Sequence, residues 1–302
     1  MDIYAEISNR IIDQMEQGTI PWQKPWVASG SCVSYATGKP YSLLNQMLLG
    51  RPGEYATFKQ IQQAGGYVKK GQKASIVVFW KWLEQEDEET GDREGAQATS
   101  GEDTTVPQPR SCDAKRGSRR KEIPFLRYYN VFHIDQCEGL KPRHVEPLPQ
   151  TANADQKAEN IICGYLRTSG VKLNHEAGDR AFYRPSTDAI TLPLLAQFKE
   201  TAEYYSTAFH ELVHSTGHAK RLNRIAGTAY FGSEAYSKEE LVAEIGASAL
   251  VNASGLETAE SFRNNSAYVQ NWLQVLKSDK RFIVSASGKA EKAVALILGS
   301  AG

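Results

Sequence analysis

No stretch of this 302-residue chain approaches the about eighteen consecutive apolar residues that a spanning helix needs. Its first residues, MDIYAEISNRIIDQMEQG, mix charges into an amphipathic pattern, with no basic stretch leading into an apolar core. The expectation is a protein without a membrane partner, a spanning helix or a secretory leader. Cysteine is scarce as well. Cys32, Cys112, Cys137 and Cys163 lie far apart and form no CxxC pair, which fits free thiols in a reducing, cytoplasmic setting better than a disulfide framework or a cysteine zinc site. There is no net charge, since 35 Lys plus Arg balance 35 Asp plus Glu. This excludes a uniformly basic nucleic-acid binder but leaves room for segregated charge. No internal repeat is visible.

Aliphatic residues nearly vanish between Glu84 and Glu122, where an acidic run (EQEDEETGDREG) gives way to a basic one (RSCDAKRGSRRKE). Such a segment cannot bury enough apolar surface to offset chain entropy, so a disordered insertion is expected there. VVFWKWL before it and IPFLRYYNVFHID after it read as strands, which makes the insertion a long hairpin loop. The prolines of 141–155 mark an expected linker. The expected organisation is therefore α+β: an N-terminal domain over 1–140, the linker, and a second domain over 156–302. Ile3, Ile7, Ile11 and Met15 recur at helical spacing up to Gly18. Further helices are expected through AENIICGYLRTSG, Thr201 to Thr216, Lys238 to Ser254, Asn265 to Lys277 and KAEKAVALILG. In AFYRPSTDAITLP, a turn from Pro185 to Asp188 separates two strand-like runs.

His210, Glu211 and His214 spell HExxH within the second of these helices. Residues four apart share a helix face, so both imidazoles can meet one metal ion with Glu211 beside it as the base that activates water. Zinc is the expected metal, with manganese or cobalt acceptable to the same donors. A catalytic site needs a third protein ligand, and Glu240 and Glu244 share a face of the next helix. One of them should bind the metal while the other orients a histidine. Glu240 is preferred as the ligand, since a ligand followed one turn later by an orienting carboxylate resembles zinc peptidases of the gluzincin type. His218 is a weaker rival, because Gly217 should end the helix before it. AFYRPSTDAITLP precedes the metal helix as an edge strand does in metallopeptidases, where a peptide can add to it. Tyr183 or Tyr230 can serve as an oxyanion donor, although packing roles suit both better.

Residues 1–83 hold nine Lys or Arg against five Asp or Glu, interleaved with aromatics. Cations that track phosphates and flat rings that stack on bases are what an unpaired strand calls for. The candidate contacts are Trp22, Lys24, Trp26, Tyr41, Tyr67, Lys69, Lys70, Lys73, Trp80 and Trp82, with GGYVKKGQK the most pointed of them. Phe58 and Phe79 are expected in the core.

PWQKPW, GKPYSLLN, FKQIQQAGGYVKKGQKASIVVFWK and YYNVFHIDQCEGL resemble the N-terminal domain of the ArdC family of plasmid antirestriction proteins, a domain shared with some plasmid primases. HELVHSTGHAKRLNR and FGSEAYSKEELVAEIGASAL resemble that family's zincin-like C-terminal domain. The resemblance implies single-stranded DNA binding by the first domain and a metallopeptidase-like second domain. It also implies protection of conjugating plasmid DNA from host restriction, with a host restriction component or another DNA-associated protein as a partner. The alternative is a non-catalytic DNA-binding protein whose metal domain is structural. The acidic insertion departs from the family pattern and could mask the DNA surface, although a solvated spacer is the plainer expectation.

Overall fold

Asp2 starts the first helix, α1 (Ile3–Glu16), by accepting the Tyr4 backbone N–H at 3.0 Å. Ile7, Ile11, Ile12 and Met15 form its buried face. Gly18, at φ 80°, lets the chain leave the helix. The structure is a computed structural model that describes residues 2–23, 31–85, 121–144, 153–225, 234–256 and 266–299. Cys112, the insertion between Gln85 and Lys121, and most of the expected linker lie outside the described residues.

The N-terminal half continues through β1 (Cys32–Ser34), α2 (Leu43–Leu49), β2 (Gly53–Thr57), α3 (Phe58–Gln63), β3 (Tyr67–Val68), β4 (Ser75–Gln85), β5 (Lys121–His133) and β6 (Cys137–Glu138). A sheet of order β1-β2-β5-β4 forms its frame, with β1 parallel to β2 and β2 antiparallel to β5. The short helices are specified locally. Ser42 caps α2, and Thr57 with Gln60 forms a reciprocal capping box on α3. Tyr55, Cys32, Leu49, Val77 and Val131 pack on one side of the sheet, and Tyr35, Ala56, Ile61, Ile134 and Cys137 form a second cluster. Gly53 is obligatory: at φ 131°, a Cβ there would come 2.1 Å from the His133 ring. Glu54, fully buried, accepts the Arg143 backbone N–H at 2.9 Å and also that of His144, which anchors the exit from this half.

The C-terminal half comprises α4 (Ala154–Ser169), β7 (Lys172–Glu176), β8 (Phe182–Arg184), β9 (Ala189–Pro193), α5 (Thr201–Thr216), α6 (Glu234–Ser254), α7 (Ser266–Ser278) and α8 (Phe282–Ile297). Its sheet has the order β7-β9-β8, with β7 parallel and β8 antiparallel to β9. The run 181–193 is therefore not a single edge strand. It is a hairpin whose first arm, β8, lies at the edge while β9 is central and buried. Asp188, in the left-handed region at φ 48°, makes the turn between them.

Residues Met1–Val77 and Tyr128–Gly302 form one compact unit. Within it the two halves interlock. The Trp22 and Trp272 rings meet edge to face at 5.5 Å, and Ser8 Oγ donates to the Lys280 carbonyl at 2.8 Å. Lys277 pairs with Glu16 at 2.7 Å. The outer arms of β4 and β5, within Val78–Arg127, form a separate unit. Among the described cysteines none is bridged: Cys32 and Cys137 are buried and Cys163 is exposed.

Candidate metal centre and nucleic-acid face

The HExxH segment occupies the last two turns of α5, whose inner face is almost wholly buried. Helix α6 comes close because Gly246 has no side chain. A Cβ there would come 2.8 Å from Val213 Cγ2 on α5. This approach sets the carboxylates of α6 against the imidazoles of α5.

His210 Nε2 and His214 Nε2 stand 3.0 Å apart, and Glu240 spans them, with Oε2 3.4 Å from the first and Oε1 3.4 Å from the second. These three donors are the group among the described residues able to hold a metal ion. The outward nitrogens are covered as well. His210 Nδ1 lies 3.5 Å from Glu244, and His214 Nδ1 lies 3.5 Å from Glu239. Protons on both Nδ1 atoms satisfy those outer carboxylates and leave two imidazole lone pairs and a carboxylate facing a common point. Three acceptors with no hydrogen between them fit a cation. The surrounding carboxylates favour positive charge at this point, carried by His214 itself or by a metal ion that displaces its proton. Burial would lower the His214 pKa, but Glu239 and Glu240 outweigh it and lift it to about 10. Burial likewise opposes ionisation of Glu240, yet the two histidines hold its pKa below the ordinary carboxylate value. Glu211, 6% exposed, lies in the same cluster and adds to the field on His214.

Glu239 and Arg224 escaped the sequence reading. Arg224 donates to both Glu239 oxygens, at 2.7 and 3.2 Å, and also to Thr216 Oγ1 and the Val213 carbonyl. It thus locks the carboxylate that faces His214 to the end of α5. The only sequence signal was a second glutamate beside Glu240, and only the helix crossing distinguishes the roles of the two.

The other candidates sit away from these donors. α5 ends at Thr216, and His218 falls in the following turn, where its Nδ1 accepts the Lys220 backbone N–H. Tyr183 donates to Asp188 at 2.7 Å and accepts from Arg221, so its hydroxyl is engaged there. Arg221 also donates to Asp188 and, through Nε, to the Ser215 carbonyl at 2.8 Å, which ties the β8–β9 hairpin to α5. Tyr230 lies outside the described residues.

Tyr67 opens β3, and Lys69, Lys70 and Lys73 lie in the exposed loop that follows it. Gln136 braces it by donating to the Lys73 carbonyl and to Gln72, while Lys69 Nζ donates to the Asp135 carbonyl at 3.0 Å. Tyr67 is 58% exposed, and its hydroxyl donates to Glu138. In the outer unit, Trp80 is 50% exposed. Trp22 is different: at 2% exposure it offers solvent no ring face. Tyr41 is half-buried against Tyr55, and burial pushes its pKa up to about 12. Lys24, Trp26 and the Trp82 side chain lie outside the described residues. Phe58 and Phe79 correct the expectation of core positions, at 53% and 45% exposed, and the sequence reading overlooked the exposed pair Tyr128 and Tyr129. Phe79 and Trp80 are consecutive on β4 and Tyr128 and Tyr129 consecutive on β5, and all four are exposed, so alternation does not mark a core side there.

No helix among the described residues is long and apolar enough to cross a membrane. Residues 1–132 match the family described as the N-terminal domain of anti-restriction factor ArdC, and residues 157–289 match the zincin-like metallopeptidase family. The chain is 37% identical over 295 residues to a DNA primase TraC of Escherichia coli, covering 95% of this chain and 19% of that protein. A second TraC is matched over 26% of its length, so the chain spans about a fifth to a quarter of these primases. It is also 33% identical to the uncharacterized protein y4eC of Sinorhizobium fredii, covering 96% of this chain and 90% of that protein. Among solved structures, the metal-free antirestriction ArdC protein from plasmid R388 shares 32% identity at a TM-score of 0.70, covering 98% of this chain and 97% of that one. The Mn(II)-bound form aligns at 31% identity and a TM-score of 0.73, covering 100% and 99%. A divalent metal is thus the cofactor type that the donor set and the relatives support. With both domains matched in order and an ArdC structure aligned over nearly its whole length, the chain belongs to the ArdC antirestriction family.

Proposed function

We propose that this protein binds single-stranded DNA through its N-terminal domain and protects DNA arriving by conjugation from host restriction in the cytoplasm. We further propose that it carries a working peptidase site, directed at a restriction component or another DNA-associated protein. The observation that carries the reading is the convergence of His210, His214 and Glu240 beside buried Glu211. A purely structural metal would more often close with a fourth protein ligand, and among the described residues this group has three.

In this reading His210, His214 and Glu240 hold a divalent ion, which supplies a Lewis acid to polarise a scissile carbonyl. Zinc suits the donors, and manganese or cobalt are acceptable to them. Glu211 takes the proton of the attacking water and hands it to the leaving amine. Glu244 and Glu239 keep both imidazoles turned toward the ion. On the DNA side, Lys69, Lys70 and Lys73 follow phosphates while Tyr67 and Trp80 offer faces for bases. Two relatives carry the name DNA primase, which fits an N-terminal domain that handles DNA.

The test is conjugative transfer into a restricting recipient, comparing wild type, Glu211→Gln and the double variant Lys69→Ala with Lys70→Ala. Glu211→Gln is expected to lose protection while keeping metal and fold. Full protection by that variant would remove the peptidase claim and leave a DNA-binding protein with a structural metal. The lysine variant is expected to weaken single-strand binding and reduce its salt slope by about two.

A further inference from the structure

Arg51 lies two residues past α2, and its side chain, 59% exposed, pairs with Asp135, equally exposed, in the short 3-10 turn Ile134–Gln136 between β5 and β6. Lys69 reaches the same residue from the lysine loop, its Nζ donating to the Asp135 carbonyl at 3.0 Å. Two surface cations therefore converge on one acidic residue. An exposed ion pair adds little to stability, yet the backbone beneath this one is fixed on both sides. The Arg51 carbonyl accepts from Tyr55 Oη at 2.7 Å and from Cys32 Sγ at 3.1 Å. Buried His133 bridges the two segments: Nε2 donates to the Pro52 carbonyl at 3.1 Å, and Nδ1 accepts the Asp135 backbone N–H at 3.1 Å. A neutral ring with its proton on Nε2 makes both bonds, and burial, which lowers the His133 pKa, favours that form. Gln136 extends the frame to the loop by donating to the Lys73 carbonyl at 3.0 Å.

We propose that Arg51 contacts a backbone phosphate of the bound single strand, and that Asp135 stands in for that phosphate until DNA arrives. A guanidinium presents paired N–H donors that fit a phosphate as they fit a carboxylate. On binding, Arg51 exchanges the Asp135 carboxylate for a phosphodiester oxygen, while Lys69 and the rest of the loop meet neighbouring phosphates. The fixing bonds use the Arg51 and Pro52 carbonyls and the Asp135 N–H, so both charged side chains can change partner while the frame stays. Arg51, Lys69, Lys70 and Lys73 gathered around one turn call for a repeating anion, which a phosphodiester chain supplies. The inference rests on the proposed single-strand binding and adds to it a contact residue and the acid that occupies its place.

The experiment measures fluorescence anisotropy of a labelled oligothymidylate and of an abasic backbone of equal length, over a salt series. Arg51→Ala and Asp135→Asn break the same exposed ion pair, so both should melt like wild type. Their effects on DNA should be opposite. Arg51→Ala is expected to weaken binding of both strands about three- to tenfold at low salt and to lower the salt slope by about 0.7. Asp135→Asn is expected to tighten both about threefold at low salt, with the gain fading as salt rises. Asp179→Asn removes an exposed charge between β7 and β8 and should change neither. Lys70→Ala with Lys73→Ala reports on the loop without touching the pair. A pair that serves only to hold the turn predicts loss in both Arg51→Ala and Asp135→Asn, and that result overturns the exchange. So does wild-type binding by Arg51→Ala, a loss confined to oligothymidylate, or an equal gain in Asp179→Asn. In each of these cases a weakened lysine variant leaves single-strand binding standing. If wild type binds neither strand, the underlying reading fails and the phosphate contact with it.

Discussion

Arg224 has its guanidinium committed to Glu239, Thr216 and Val213, and its side chain is 6% exposed. It touches no proposed metal donor, so its effect on the site must pass through Glu239 to His214. Outer partners of this kind typically change metal affinity about 10- to 100-fold when removed. Arg224→Ala, which leaves Glu239 as an unpaired buried carboxylate, and Glu239→Gln should each weaken metal binding by that order in a competitive chelator titration. His214→Ala should abolish it. Unchanged affinity in both outer variants would show that Glu239 does not hold the imidazole. A second residue-scale case is Asp188, whose pKa is lowered from 3.8 to about 2, chiefly by its hydrogen bonds from Arg221. A depressed carboxylate stabilises the fold above its unfolded value and loses that contribution as pH falls through the folded one. Asn tolerates the left-handed turn, so Asp188→Asn isolates the charge. Its deficit in melting temperature should be full at pH 5 and shrink steadily toward pH 2. A deficit independent of pH would assign the loss to something other than the Arg221 pair.

At the scale of elements, the metal site depends on how closely two helices pack. The contact of Gly246 with Val213 sets the spacing of α5 and α6, since a Cβ at 246 would intrude to 2.8 Å. Overpacking of this kind costs about 1–3 kcal/mol and is relieved by moving the helix. Gly246→Ala should therefore lower both stability and metal affinity, although it touches no donor. Adding Val213→Ala makes room, so the double variant should recover metal affinity while remaining less stable from the lost side chain. If the single variant binds metal normally, the Glu240 to imidazole distances of 3.4 Å do not depend on this contact.

For the whole molecule, the two family domains, apart from Val78–Arg127, share one compact unit, joined by Trp22 on Trp272, Ser8 on Lys280 and Glu16 on Lys277. Interlocked halves melt together. A calorimetric scan should show one cooperative transition for this unit, shifted upward by saturating divalent ion and downward by chelator. At a free ion concentration of about 100 times Kd the gain is about 2.7 kcal/mol. Two transitions, of which only one responds to the ion, would show that the halves unfold independently.

Helical periodicity made α1, α5 and α6 readable, because i, i+4 spacing is a property of the chain itself. His210 and His214 must share a face wherever that helix lies. The turn at Pro185–Asp188 was equally local. The helices α2 and α3 went unread although Ser42 and the Thr57–Gln60 box marked their starts, because each is shorter than two full apolar repeats. What the chain could not express locally was which of several carboxylates meets which nitrogen. Glu239 and Glu240 differ by rotation about α6 and Glu240 and Glu244 by one turn along it, and the approach of α6 to α5 sends Glu240 between the imidazoles and the other two to their outer edges. Burial of aromatics was likewise undecided: Trp22 went inside against Trp272, whereas Phe58 and Phe79 stayed in water. Composition alone therefore set the residue types and their local spacing. Long-range packing chose the pairs, since a contact between residues hundreds of positions apart depends on the distance and crossing of elements that no local pattern encodes.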